Sequence, residues 1–217
     1  MIPPSSLPFV WSSSPTSRRR LILAAALAGA AALALPGCQK NEPPVPKFNA
    51  IDITGAEYAR EFTLPDPDGK LRSLTEFKGK AVVVFFGYTQ CPDVCPTTLA
   101  ELAEVKKTLG ADGARVQVVF VTIDPERDTP ALLKSYVENF GKDYVALRGD
   151  AAQTQAIAKE FKVLYVKVPG RAPGSYTMDH TAGSYVFDPE GRVRLFSRYG
   201  GGAQPMADDL KLLLAAR

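Results

Sequence analysis

The chain has 217 residues, with 26 Lys+Arg against 23 Asp+Glu, one histidine, three cysteines and one tryptophan. That length allows one ordinary domain plus something extra, and 23% charged with 46% apolar residues excludes a disordered or collagen-like chain. Three cysteines are too few for a disulfide-stapled mini-domain, and one histidine excludes a site built from two imidazoles.

The net charge of +3 is local. Arg18, Arg19 and Arg20 are the only charged residues before Cys38, and without them the chain carries 23 basic and 23 acidic residues. They stand directly before the apolar run Leu21 to Leu35, 15 residues that would make a helix of roughly 22 Å, short of a bilayer core of ~30 Å. A basic cluster, a short apolar stretch and small residues at its end predict an export signal over residues 1–37. Leu35-Pro36-Gly37-Cys38 resembles the lipobox of bacterial lipoproteins, in which the cysteine is lipidated and becomes the new N-terminus. An uncleaved signal anchor is the alternative. Either places the rest of the chain on the periplasmic side of a membrane and attached to it. Ser17 to Leu23 also resembles a twin-arginine signal, although a general secretory signal explains the arginines equally well. Residues 38–50 include Gln39 to Lys47, polar and proline-rich, and predict a tether with nothing to bury.

From residue 51 to 217 the sequence predicts one folded domain. Phe62 to Leu64 and Leu71 to Leu74 flank Asp66-Pro67-Asp68-Gly69 and read as an opening hairpin. Ala81 to Phe86 and Val116 to Thr122 are too apolar to be half-exposed and read as buried central strands. Between them Leu99, Leu102, Val105 and Leu109 recur at near-helical spacing before Gly110. Leu132 to Phe140 predicts a second helix, Tyr144 to Leu147 a strand, Asp150 to Phe161 a helix and Val163 to Val168 a strand. Ser184 to Phe187 and Val193 to Phe196, joined by Asp188-Pro189-Glu190-Gly191, predict a terminal hairpin, and Met206 to Ala216 a last helix. This order predicts an α/β chain of thioredoxin-like fold, a central mixed sheet flanked by helices with an N-terminal β-hairpin. Fold order alone does not give function.

Chemistry concentrates at the junction of the first buried strand with its helix, where Cys91-Pro92-Asp93-Val94-Cys95 stands. A separation of four predicts both sulfurs on one face of a helical turn, at a helix N-terminus that favours thiolate over thiol. Pro96 disfavours one unbroken helix through both cysteines, though the first turn tolerates it. A stabilising disulfide is the plainer reading, and so short a loop would restrain little of the unfolded chain. His180 follows in Tyr176-Thr177-Met178-Asp179-His180-Thr181, far along the chain. Two thiolates and one imidazole would suit Cu(I), yet spacing does not bring His180 to the pair, and a lone histidine is usually an ordinary residue.

Three blocks carry a resemblance: Phe86 to Pro96, Thr122-Ile123-Asp124-Pro125-Glu126-Arg127-Asp128-Thr129-Pro130, and Asp179-His180-Thr181. In that order the sequence resembles the Sco/SenC family of copper proteins over residues 55 to 217. The resemblance implies a thioredoxin-like domain on a membrane tether, with copper held by Cys91, Cys95 and His180, as Cu(I) and with Cu(II) as the other oxidation state to consider. Gln90 stands where some members have histidine. Asp124 and Asp128 read first as turn and helix-capping residues around Pro130. The other reading, from related proteins, makes Asp124 and Asp128 carboxylates behind the metal, and Asp179 an orienting partner of the neighbouring imidazole.

The resemblance implies a copper metallochaperone, rather than an enzyme, that helps assemble the binuclear copper centre of cytochrome c oxidase. Its partners would be the oxidase's copper-bearing subunit, a periplasmic copper donor and a thiol reductant. The rival reading is a thiol–disulfide oxidoreductase that keeps the oxidase's copper-site cysteines reduced, which would need Cys91 and Cys95 but not His180. A redox or copper sensor would use the same chemistry. The neutral domain gives no support for nucleic-acid binding.

Overall fold

The computed structural model describes residues 46–216. In chain order it contains β1 (Ile51–Asp52), β2 (Thr63–Pro65), β3 (Leu71–Ser73), a 3-10 turn (Leu74–Phe77), β4 (Ala81–Gly87), α1 (Val94–Thr108) and a second 3-10 segment (Gly110–Arg115). Then follow β5 (Val116–Thr122), α2 (Pro130–Glu138), β6 (Val145–Leu147), α3 (Ala151–Glu160), β7 (Tyr165–Pro169), β8 (Tyr176–His180), β9 (Gly183–Phe187), β10 (Val193–Arg198) and α4 (Ala203–Ala215). The expected export signal, the lipobox-like Leu35 to Cys38 and the expected tether up to Val45 lie outside the described residues.

The two apolar runs become β4 and β5, every residue of both buried, and they pair in parallel. Parallel neighbours need a crossover, which α1 supplies. β6 continues the parallel set beyond β5, while β9, β10 and β1 extend it antiparallel from β4, giving the order β1-β10-β9-β4-β5-β6. This mixed sheet flanked by helices is the thioredoxin-like fold that the element order predicts. Phe85, Phe86, Phe120, Phe161 and Phe187 fill its core, and α1 turns Leu99, Leu102 and Val105 inward.

Two short ladders stand apart from this sheet. β2 and β3 form the expected opening hairpin. The strand predicted over Val163 to Val168 instead pairs with a partner the sequence does not announce, β8, in a hairpin bonded to no other strand. The helix starts are built from local chemistry. Thr129 caps α2, accepting from the Leu132 amide at 3.3 Å, with Pro130 as the first helical residue. Asp150 and Gln153 form a capping box at α3.

The domain also begins earlier than its expected boundary at residue 51. Phe48 and Ala50 pack against the core, and the amides of Asn49 and Ala50 donate to the buried Asp209 carboxylate of α4, each at 2.8 Å. Among the described residues no helix is long and apolar enough to cross a membrane.

Candidate metal centre

β4 carries the chain into the site, and its end is shaped by the absence of a side chain. A Cβ on Gly87 would lie 2.8 Å from Cys95 Sγ and 2.9 Å from Phe120 Cε2. Beyond Gly87 the chain turns, with the Cys91 amide donating to the Tyr88 carbonyl at 3.3 Å, before α1 begins at Val94. The expectation of both cysteines on one helical face is corrected here. Cys91 belongs to the turn and Cys95 to the first turn of α1. The cause is Pro92, since the residue before a proline is pushed out of helical conformation. Pro96 is the third helical residue, where no intrahelical N–H bond is lost.

The sulfurs are nonetheless brought together. The Cys95 amide donates to Cys91 Sγ at 3.4 Å, so a sulfur does the work of a capping oxygen at a helix start where Asp93 makes no cap bond. Both cysteines are free, Cys91 partly exposed and Cys95 fully buried. Hydrogen bonding from the Cys95 thiol pulls Cys91 down to about 4, helped by the backbone amides of Asp93 and Cys95, against the opposing effect of burial. The same contact, followed by burial, pushes the Cys95 thiol far up. The pair thus shares one proton, which resides on the buried sulfur, and presents a thiolate at the outer one.

His180 ends β8, opposite Tyr165 of β7. Its Nε2 lies 3.9 Å from Cys95 Sγ across a sequence separation of 85 residues. Its Nδ1 lies 3.0 Å from the Thr181 carbonyl oxygen. A carbonyl only accepts, so Nδ1 carries the proton and Nε2 turns its lone pair to the sulfur. The rings of Phe85 and Tyr88 wall the imidazole edge-on, each with centroids 6.3 Å away. Cys95 Sγ and His180 Nε2, 3.9 Å apart, are near enough for one soft metal ion to be held between them. Among the described residues no three His, Cys, Asp or Glu side chains, this trio included, stand close enough together to hold a metal ion as they are placed.

The acidic residues serve the frame. Asp128 does not cap α2. Its carboxylate is fully buried and accepts from Thr89 Oγ1 at 2.6 Å, from the Thr89 amide, and from Thr122 Oγ1. Burial raises its pKa, and the threonine hydrogen bonds oppose that rise. Asp124 is equally enclosed, with Oδ1 accepting from the Tyr176 hydroxyl at 2.8 Å and Oδ2 from Arg127 Nε. Asp179 is exposed, and the imidazole is oriented by the Thr181 carbonyl. Sequence reasoning passed over Gly87, Thr89 and Arg127. All three sit inside the quoted motif blocks, where a glycine and an arginine among acids were the signals to follow.

Residues 52–215 match the family described as SCO1/SenC. The chain belongs to the SCO1/SenC family. A SCO2-like protein of Rickettsia felis is 33% identical over 153 residues, covering 69% of this chain and 75% of the relative. The structure of Bradyrhizobium japonicum ScoI with copper bound superposes with a TM-score of 0.64 at 41% identity, covering 70% of this chain and 97% of ScoI. Yeast Sco1 with copper bound gives a TM-score of 0.65 at 30% identity, covering 72% and 88%.

Proposed function

We propose that this SCO1/SenC protein is a membrane-tethered copper metallochaperone that binds copper through Cys91, Cys95 and His180 and helps assemble the binuclear copper centre of a respiratory haem-copper oxidase. The observation that carries this reading is the approach of His180 Nε2 to 3.9 Å from Cys95 Sγ, beside a thiolate at Cys91. Two soft sulfurs and one imidazole, with aromatic walls, suit Cu(I). Copper bound in ScoI and yeast Sco1 supports the same choice of metal. Passing copper on would proceed by ligand exchange with cysteines of the oxidase's copper-bearing subunit, after loading from a periplasmic donor. Oxidation of Cys91 and Cys95 to a disulfide releases two electrons and the one shared proton and removes both sulfur ligands, so a thiol reductant is the third partner. The export signal, Cys38 lipidation and the proline-rich tether ahead of Phe48 would hold the domain on the periplasmic face.

Titration of the reduced protein against a Cu(I)-selective chelator tests the reading. One tightly held Cu(I) per chain is expected, lost with serine at either cysteine and weakened by His180→Ala. Absence of tight stoichiometric binding would sink it.

A second reading has an observation of its own. A partly exposed low-pKa thiol backed by a buried high-pKa thiol is also the arrangement of an attacking and a resolving cysteine. It predicts a thiol–disulfide reductant acting on the oxidase's copper-site cysteines. Disulfide reduction that survives His180→Ala, without tight Cu(I) binding, would favour it.

A further inference from the structure

The hairpin that brings His180 to the sulfurs is bonded to no other strand. At its root the Thr181 amide donates to the Leu164 carbonyl, and the Leu164 amide to Thr181 Oγ1. Beyond that root only Met178 enters the core, and a two-stranded ribbon so lightly packed does not fix its own direction. Something must aim it.

Arg127 is placed to do so. Its guanidinium carbon lies over the Tyr176 ring, 3.6 Å from the centroid, and Nη1 donates to the Tyr176 carbonyl at 2.8 Å. Tyr176 opens β8, the strand that His180 closes. Nε of the same guanidinium binds Asp124, which also takes the Tyr176 hydroxyl. Nη1 reaches Gln90 Oε1 at 3.2 Å, one residue before Cys91, and the Tyr88 ring lies 5.6 Å from the cation. One side chain therefore touches the cysteine turn, the loop after β5 and the histidine hairpin. Its Nη2 is buried with no hydrogen-bond partner, a cost that a surface arginine free to turn outward would avoid. Lys167 of β7 adds a lighter brace, paired with Glu126 at 2.6 Å.

We propose that Arg127 is the positioning residue of the metal centre: by clamping Tyr176 against Asp124 and Gln90 it fixes the β7–β8 hairpin, and so the distance of His180 from the thiol pair. Arg127 touches none of the three candidate ligands and acts through His180. The inference rests on the reading that Cys91, Cys95 and His180 hold copper, but half of its test does not.

The test uses the full reduced chain and compares Arg127→Lys, which keeps the charge but loses the planar fork, with Tyr176→Phe, which keeps the stack but loses the Asp124 bond. In the metal-free protein Arg127→Lys should speed amide exchange across residues 165–180 about tenfold while β4 and β5 stay unchanged, and Tyr176→Phe should do so less. In Cu(I) competition Arg127→Lys should cost about tenfold in affinity, and should cost nothing further in the His180→Ala background, because a residue that acts through His180 has no effect once the imidazole is gone. Unchanged hairpin exchange, exchange raised throughout the domain, or losses that add in the double variant would each overturn the proposal. A wild-type chain that binds no Cu(I) would sink the copper reading alone, and the exchange data would still decide the clamp.

Discussion

Cys95 Sγ occupies space that Gly87 leaves open: a methyl group on Gly87 would stand 2.8 Å from it and 2.9 Å from the Phe120 ring. Both neighbours are buried, so neither has room to retreat. Gly87→Ala is therefore expected to cost about 1–3 kcal/mol of stability and to push the Cys95 sulfur away from His180. Denaturant unfolding measures the first effect, and a lowered Cu(I) affinity at folded-state temperatures the second. A variant with wild-type stability and affinity would show that the core absorbs the methyl group.

The shared proton gives the two thiols opposite reactivities. Cys91 is held at about 4, chiefly by hydrogen bonding from Cys95, so it is a thiolate throughout the neutral range and is protonated only in acid. Its alkylation by iodoacetamide should be level from about pH 6 upward and fall as the pH drops toward 4, while Cys95 stays unreactive at neutral pH. Cys95→Ala removes the largest cause and should move the Cys91 profile back toward that of a free thiol. The linked effects on stability are opposite in sign. Cys91, with its folded pKa depressed, contributes stability that fades as pH falls from the ordinary thiol range toward about 4, while Cys95, with its folded pKa raised, subtracts stability as pH rises above that range. A wild-type alkylation profile with its midpoint near 8 would contradict the arrangement.

Asp128 holds the cysteine turn from behind. Its buried carboxylate accepts from the Thr89 amide, Thr89 Oγ1 and Thr122 Oγ1. Asp128→Asn would replace one acceptor oxygen by a donor facing other donors, at a cost of about 1–3 kcal/mol. The measurable signs are a lower unfolding midpoint and faster modification of Cys95 in the native protein. Thr122→Val removes a single bond and should do less.

Asp209 is the corresponding anchor at the other end of the chain. It binds the Asn49 amide, the Asn49 side chain and the Ala50 amide, and is itself 1% exposed. Asp209→Ala should release the segment before Ile51, seen as new proteolytic cleavage between residues 46 and 51 and a loss of about 1–3 kcal/mol.

The central sheet was legible because its two middle strands are unbroken apolar runs, and the α3 start because Asp150 and Gln153 stand at capping spacing. β8 was not legible. Tyr-Thr-Met-Asp-His does alternate, but over five residues with only Met178 buried the pattern is too short and too polar to stand out, and its partner is one isolated strand. The cysteine pair was visible from its place between strand and helix, but the approach of His180 is a product of tertiary folding and no local pattern encodes it. Arg127 was hidden for another reason: an arginine in an acidic turn reads as solvated, and only the folded chain reveals that its guanidinium is stacked on Tyr176.

The three candidate ligands also differ in when they become available. Cys91 and Cys95 are neighbours in the chain and can meet as soon as their turn exists. His180 arrives from 85 residues downstream of Cys95, after β5, β6 and the β7–β8 ribbon have been laid down between them. A nascent or locally melted chain therefore offers a two-sulfur chelate long before it offers the imidazole. Early capture would be by a weaker, less selective pair, and the third donor closes the site only when the tertiary structure is complete, so occupancy of all three reports on finished folding.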